Sequence, residues 1–270
     1  MSTVVDEFKQ EVQRAEPKIN LAYCALLIAK NEYPKLEPQQ YLSRLDEMAA
    51  ELCKLVPSPQ FDSINWYLFD KLGFSGNRKN YYDPKNSFLN EVLDRKLGIP
   101  ITLSIVYLEL AFRLNIEAEG VGLPGHFLVR VTTPQLLLDP FNKGKRLSEA
   151  DCHTLVKQIY GEKFQLRPEH LRTVTKLEIL ARMLSNLKNI YVSTNDSIRA
   201  LKIIDLALAL NPKSFIDLRD RGLIQFQLGN YSQSLDDLTA YLNNAAPDQA
   251  DTEIVKKCIL RAKAKLAALN

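Results

Sequence analysis

The segment 100–114, PITLSIVYLELAFRL, is apolar on nearly every face when it is drawn as a helix. Such a helix predicts a buried centre around which the rest of a domain must pack. The hydrophobic period then changes from 3.6 to 2, and three short strands are predicted at 117–123, 126–132 and 136–138, followed by a polar loop at 142–146. One buried helix followed by an antiparallel meander predicts an α+β core.

The residues before the central helix and after the strands also have a helical pattern. Apolar residues recur at helical spacing in five further segments, which are 17–30, 38–55, 60–72, 88–96 and 148–160. We therefore predict one domain over residues 1–165, with a helical N-terminal part at 1–72 and the α+β core at 73–165.

Residues 173–270 return to the helical period and contain an internal repeat. A shift of 34 residues aligns the apolar positions and the turn of one helical hairpin with those of the next. Thirty-four residues is the period of tetratricopeptide repeats. The second copy has the small residue Gly222 where the first copy has Lys188. We predict an all-α tail of tetratricopeptide type, with a terminal helix at 252–269 that covers the end of the stack.

The charge pattern excludes some classes of partner. The net charge is +3, and acidic and basic residues are interleaved, so we expect neither nucleic acid nor a membrane surface as a partner. No apolar run approaches the roughly 18 residues of a membrane span, and the N-terminus carries acids and no long apolar stretch, so no signal peptide is predicted. The composition predicts a soluble cytoplasmic protein.

The cysteine and histidine spacings predict no disulfide framework, no metal site and no cofactor. Cys24, Cys53, Cys152 and Cys258 are far apart and form no CxxC pair, which is typical of reduced thiols. The isolated histidines have no metal-ligand spacing around them, and the chain has no phosphate-binding glycine motif.

The junction between the central helix and the strands holds residues that a cysteine enzyme would use. A thiol is most reactive at a helix N-terminus, where the helix dipole favours the thiolate. His126 on the next predicted strand is a candidate base, and Asp139 after the third strand is a candidate to orient it. This order of helix, histidine and aspartate resembles the transglutaminase-like branch of the papain superfamily.

The resemblance implies a catalytic cysteine at the start of the central helix. Counting back from the run Arg113-Leu114-Asn115-Ile116 in the spacing of that family leads to position 100, which is Pro100. Proline has no nucleophilic group, and its role in a first helical turn is conformational. Ser104, about one turn into the helix, is a weak candidate for a replacement nucleophile.

Residues 66–146 also resemble the SirB-type family of bacterial proteins, in which a transglutaminase-like core precedes tetratricopeptide repeats. The matching strings are LGFSGN (72–77), YYDPKNS (81–87), GIPITLS (98–104), GLPGHF (122–127) and DPFN (139–142). The resemblance implies that the proline at position 100 is a feature of the family. It implies no particular reaction.

Several residues in these strings are candidates for ligand binding. They are Asn77, Tyr81, Tyr82, Asp83, Asn86, Pro100 and Asn142. The alternative for the stretch 81–87 is that it caps a helix and packs aromatic rings. The alternative for His126 is a structural hydrogen bond to Asp139.

Two classes of function follow from these residues. The first is a catalytically degenerate transglutaminase-like protein that binds a peptide or protein in its core cleft or acts as a regulator, while its repeats dock a protein partner. The second is an amide hydrolase or acyl-transfer enzyme that uses His126 and Asp139 on a bound water or on Ser104. The missing thiol favours the first class.

Overall fold

A computed structural model describes residues 3–244 and 251–268. These residues form two compact units. One unit comprises residues 10–186, and the other comprises the described residues of 1–9 and 187–270. The predicted boundary between 165 and 173 stays a prediction.

The first part of the chain is helical, as the sequence predicts. Its helices are α1 (Val4–Val12), α2 (Leu21–Glu32), α3 (Pro38–Leu55), α4 (Phe61–Asn65) and α5 (Leu89–Arg95). The predicted helix 60–72 is α4 continued by a π-helical segment, Trp66–Lys71. Two residue pairs, β1 (Ser75–Gly76) and β2 (Leu97–Gly98), form a short parallel ladder just before the central helix.

The central helix α6 (Pro100–Arg113) has the predicted burial. Ile101, Leu103 and Ile105 are at most 2% exposed. One carboxylate lies among these apolar groups: Glu109 Oε2 accepts a hydrogen bond from Arg113 at 2.5 Å, and its Oε1 accepts one from the backbone N–H of Ala22. A buried charge needs such partners, because its desolvation is costly.

An antiparallel sheet follows α6, which confirms the predicted α+β core. Its strands are β3 (Ala118–Val121), β4 (Leu128–Val131), β5 (Leu136–Asp139), β6 (Lys145–Leu147) and β7 (Thr173–Val174), in the spatial order β6-β5-β4-β3-β7. One sheet face packs against helix α7 (Glu149–Tyr160) through a cluster that includes Val121, Leu128 and Cys152.

Three local predictions for the sheet were wrong. The predicted polar loop 142–146 contains the start of the edge strand β6. His126 lies in the turn two residues before β4 and not within the strand. The first strand, 117–123, was predicted with breaks at Gly120 and Gly122, but β3 continues through Gly120 and ends at Val121, just before Gly122. A β-carbon at position 120 would lie 2.9 Å from the Phe127 ring, so the ring can pack against this strand because residue 120 is glycine.

The rest of the chain is a helical tail of tetratricopeptide type, as predicted. It contains α8 (Lys176–Ser193), α9 (Ser197–Leu210), α10 (Phe215–Gln227), α11 (Tyr231–Asn244) and α12 (Thr252–Ala267). The terminal helix was predicted to reach residue 269, which lies outside the described residues.

Gly222 lies where α10 and α11 cross. A β-carbon at this position would lie 2.7 Å from both Cγ and Cδ2 of Leu238, and Leu238 is completely buried. Ordinary contacts between carbon atoms are about 3.5–4.0 Å. The two helices can therefore approach this closely because position 222 has no side chain.

The two copies of the repeat differ at the position of Gly222, which is Lys188 in the first copy, and ion pairs join the helices there. Lys188 on α8 occupies the place that corresponds to Gly222, and its Nζ lies 2.7 Å from Asp217 Oδ1 and 2.8 Å from Asp220 Oδ2 on α10. Burial opposes the charge on Lys188, but its hydrogen bonds to the two aspartates outweigh that effect and raise its pKa. Arg221 on α10 makes a two-atom pair with Asp237 on α11.

Candidate functional site

The histidine and aspartate singled out from the sequence are hydrogen-bonded in the structure. Nε2 of His126 lies 2.9 Å from Oδ1 of Asp139. Both side chains are buried, with 6% and 1% exposed. Asp139 is the last residue of β5, and the turn that carries His126 leads into β4, which pairs with β5. The antiparallel meander thus brings the two side chains together.

The carboxylate of Asp139 has further partners in the turn that follows it. Its Oδ1 accepts the backbone N–H of Asn142 at 3.2 Å, and its Oδ2 accepts Nδ2 of Asn142 at 2.6 Å. Burial alone would raise the pKa of Asp139, but the hydrogen bonds from His126 and Asn142 more than offset it, so the pKa is lowered. Asp139 is therefore a carboxylate at neutral pH, and Asn142 holds it in place.

His126 is oriented with one ring nitrogen in use. A carboxylate can only accept, so Nε2 donates its N–H in the bond to Asp139, and Nδ1 is the ring nitrogen that this bond does not use. Within residues 3–244 and 251–268, Nδ1 has no hydrogen-bond partner. The ring of Phe141 packs edge-on against the imidazole at 5.8 Å. This geometry leaves Nδ1 available for a hydrogen bond with a ligand.

The start of α6 is occupied by proline. Pro100 is buried and stands at the first helical position, where its missing N–H is no loss. The N–H of Ile99, just before it, donates to Oγ1 of Thr102 at 3.1 Å. The Phe141 ring connects this region to the histidine, because it also lies against Gly76, and Gly76 pairs with Gly98. That the Pro100 ring faces His126 stays a prediction.

Ser104 is poorly placed for nucleophilic chemistry. It lies in the second turn of α6 and is completely buried. Its Oγ has no hydrogen-bond partner in the described part of the chain, so neither His126 nor another base activates it. A catalytic role for Ser104 stays a prediction with no geometric support.

The two asparagines predicted to bind ligand hold a loop to the central helix. Nδ2 of Asn77 donates to Oδ1 of Asn86 at 3.0 Å, and Nδ2 of Asn86 donates to the carbonyl of Asn80 at 2.7 Å. The carbonyl of Asn86 accepts the hydroxyl of Thr102 at 2.7 Å. These bonds fasten the loop to the first turn of α6, and a ligand-binding role for Asn77 and Asn86 stays a prediction.

The remaining candidates lie at the surface of the same region. Tyr82 is 77% exposed, and its ring contacts that of Tyr81, which also packs edge-on against Phe141. Burial raises the pKa of Tyr81. The side chain of Asp83 caps the following turn by accepting the N–H of Lys85 at 3.0 Å. The predicted alternative of helix capping and aromatic packing thus describes much of this stretch.

Sequence reasoning missed three residues of the region: Thr102, Phe141 and Arg182. The strings that carry the family resemblance contained the first two, but their contacts come from separate segments of the chain. Arg182 lies on α8, and its NH2 donates to the backbone carbonyl of His126 at 2.7 Å. Arg182 is 56 residues away from His126 in the sequence, so no local sequence pattern indicates this contact.

The described residues show neither a metal-binding cluster nor a helix that could span a membrane. They contain no group of three or more histidine, cysteine, aspartate or glutamate side chains that could hold a metal ion. None of the helices in the described ranges is long and apolar enough to cross a bilayer.

Comparison with protein families agrees with the architecture. Residues 39–185 match the model of the transglutaminase-like superfamily, and residues 187–259 match that of the tetratricopeptide repeat. Tetratricopeptide repeats generally mediate protein–protein interactions. Fold and family match together define a transglutaminase-like protein with a repeat tail.

Two bacterial relatives narrow this class. The chain is 40% identical over 228 residues to the UPF0162 protein of Xylella fastidiosa (strain 9a5c), which covers 81% of both chains, and 32% identical over 203 residues to that of Vibrio cholerae, which covers 73% of both. It belongs to the transglutaminase-like superfamily and, within it, to the UPF0162 proteins.

The similarity extends beyond bacteria. Human F-box only protein 21 is 32% identical over 190 residues, which are 64% of this chain and 28% of that protein. No solved structure matches the chain.

Proposed function

We propose that this chain is a catalytically degenerate transglutaminase-like protein that binds a peptide or protein, with its repeats docking a partner. The observation that carries the proposal is Pro100 at the first position of α6. A thiol enzyme of this architecture needs its nucleophile at that helix N-terminus. The histidine and aspartate remain in place without a thiol to activate.

Three of the four thiols support this proposal through their burial. Burial raises the pKa of Cys24 to about 12 and that of Cys152 to about 11. Burial also raises the pKa of Cys258, and Cys53 lies on the exposed face of α3. A raised pKa removes the thiolate, which is the nucleophilic form.

A second candidate is an amide hydrolase in which the histidine activates a water. The intact hydrogen bond between His126 and Asp139 and the unpartnered Nδ1 favour it. Catalysis by a base acting on water needs no thiol. The two candidates therefore differ in whether the wild-type protein turns over an amide or acyl substrate.

An activity assay separates the candidates. We would follow amine incorporation into a glutamine-containing peptide and hydrolysis of amide and ester substrates by wild type, His126→Ala and His153→Ala. His153 is exposed on α7 and serves as the matched control. The proposal expects all three to be inactive. Turnover by wild type and His153→Ala that disappears in His126→Ala would establish the hydrolase instead.

Docking by the repeats has a test of its own. A groove of about 340 Å³ runs between α8 and α10 and is lined by residues that include Val192 and Leu223. Val192 is 49% exposed, whereas Leu260 is 68% exposed on α12 and does not line the groove. In cross-linking from the cell extract of the source organism, Val192→Glu should lose a partner that wild type and Leu260→Glu both retain. Equal recovery by the three proteins would argue against this groove.

Two narrower statements stay predictions. One is that the protein acts in the cytoplasm, which localisation of a tagged chain would check. The other is that the UPF0162 proteins and the SirB-type family are the same group, which the order of the two matching domains in this chain supports.

A further inference from the structure

Arg182 holds the turn that carries the histidine. Its NH2 group donates to the carbonyl of Leu123 at 2.9 Å and to the carbonyl of His126 at 2.7 Å. Its guanidinium carbon lies 5.6 Å from the centre of the Phe127 ring. The partly buried guanidinium thus binds the carbonyl at each end of the turn Leu123–His126. It also stacks over the ring of Phe127, the residue that follows the turn.

Among the residues that the structure describes, the charge of Arg182 has no counter-ion. In residues 3–244 and 251–268, no carboxylate lies within 4.0 Å of its guanidinium. Arg113 and Arg221, which are also partly buried, each contact carboxylates. Burial lowers the pKa of Arg182, and the groups that act against this are phenols of Tyr160 and Tyr81, not carboxylates. Charged side chains removed from water are normally paired, so an unpaired one marks a candidate ligand site.

Part of the guanidinium remains available. NH1 and Nε have no partner within the described residues, and neither is sealed from solvent. A β-carbon at Gly122 would lie 3.5 Å from NH1, so the glycine leaves that side of the group uncrowded. Tyr160 is 54% exposed and packs near the same turn, because a β-carbon at Gly125 would lie 3.1 Å from its ring. Arginine and tyrosine groups are donors for an anion.

We propose that Arg182 binds a carboxylate of the bound peptide beside the His126 turn, through the NH1 group that the turn does not use. This inference rests on the proposed binding function and names the group that is recognised. A single cation matches the single charge of a carboxylate. A phosphate usually needs more than one cation or a helix N-terminus. The carboxylate belongs either to the C-terminus of a chain or to an acidic side chain.

The test uses small probes and the full chain. N-acetylglycine presents a C-terminal carboxylate, the N-acetyl-aspartic acid α-amide presents a side-chain carboxylate, and N-acetylglycinamide is the neutral control. Binding is followed by the backbone ¹⁵N–¹H signals of His126 and Phe127, which every variant retains, and in wild type also by the signal of Arg182 Nε. We expect a saturable shift with one or both carboxylates and none with the neutral amide. The carboxylate that binds more tightly identifies the source.

Variants separate binding from a purely structural role. Arg130 is the matched control, because it is also partly buried and its NH2 donates to a backbone carbonyl, that of Leu171, at 2.6 Å. Arg182→Gln should bind the carboxylate roughly tenfold to a hundredfold more weakly, whereas Arg130→Gln should bind it as wild type does. Arg182→Lys keeps the charge and should retain part of the affinity, and its dispersed spectrum would verify the fold.

Several outcomes would overturn the inference. They are identical shifts with N-acetylglycine and its amide, no saturable shift in folded wild type, or preferential binding of inorganic phosphate. If wild type still captures its partner through the repeats and remains inactive, the binding function stands and only the carboxylate subsite fails. If wild type hydrolyses amides, the binding function itself fails, whatever the probes show.

Discussion

Replacing Gly222 by leucine should destabilise the repeat helices. The new β-carbon would lie 2.7 Å from two atoms of Leu238 and 3.2 Å from Cβ of Asp237. A normal contact requires a separation about 1 Å larger than the first of these distances. Leu238 is fully buried beside Tyr241 and Val255, so it has little room to move.

The magnitude follows from two opposing effects. Overpacking a well-packed core costs about 1–3 kcal/mol, and a leucine with its branched end should lie near the upper limit. Replacing a glycine within a helix also stabilises the folded state by about 1 kcal/mol, because a chain without that glycine loses less backbone entropy on folding. The net loss in the free energy of unfolding should be roughly 2 kcal/mol.

Urea denaturation measures the total loss, and hydrogen exchange in peptides of α10 and α11 localises it. Ala264→Leu on α12 is the control, because position 264 is exposed and the same side chain should change stability by less than about 0.5 kcal/mol there. In Gly222→Ala combined with Leu238→Ala, the new methyl group should fill part of the cavity, so the double variant should lose less than the sum of the single losses. Stabilisation by Gly222→Leu would refute the close crossing.

Three further predictions concern the core. The pKa of Asp139 is lowered below its ordinary 3.8, so its ionised form stabilises the fold above that pH and the contribution disappears as the pH falls through the folded-state pKa. The stability difference between wild type and Asp139→Asn should therefore be largest above about pH 5 and shrink in acid; a difference independent of pH would contradict this. Pro100→Cys should react with iodoacetamide faster than a free surface thiol at neutral pH, and Pro100→Cys/His126→Ala should react more slowly; equal rates would show that position 100 does not face His126. Thr102→Val should cost about 1–3 kcal/mol in thermal unfolding, because the carbonyl of Asn86 and the N–H of Ile99 lose their partner; an unchanged midpoint would mean that water replaces the hydroxyl.

The parts of the fold that the sequence predicts are those with a clear hydrophobic period. The apolar helix 100–114 and the central strand β4 are mostly buried, so their residue types reveal their geometry. Strand β6 has the opposite character. Its residues Lys145 and Arg146 are exposed at the sheet edge, and their polarity resembles that of a loop. Pairing with β5, which no local pattern encodes, makes them a strand.

The candidate site was predictable to a similar extent. The bond between His126 and Asp139 follows from the order of strands in a meander, so neighbouring strands could be inferred to bring them together. The position of His126 outside the strand could not be inferred from the alternation, which extends through Phe127. The turn is set by the N–H of His126, which donates to the carbonyl of Leu123 at 3.0 Å. The contact of Arg182 with this turn depends on tertiary packing alone.

The ion pairs of Lys188 have a consequence for how the tail could change over time. The two helical hairpins share a period, yet Lys188 on α8 pairs with two aspartates of α10, while the corresponding Gly222 on α10 has no side chain and lies against Leu238 of α11. If a copy of the second hairpin followed that hairpin, Gly222 would stand where Lys188 does, and Asp217 and Asp220 of the added copy would lose their cation. Simple copying of this hairpin would therefore leave two carboxylates without a partner. The ion pairs of Lys188 therefore favour the present order of the two hairpins.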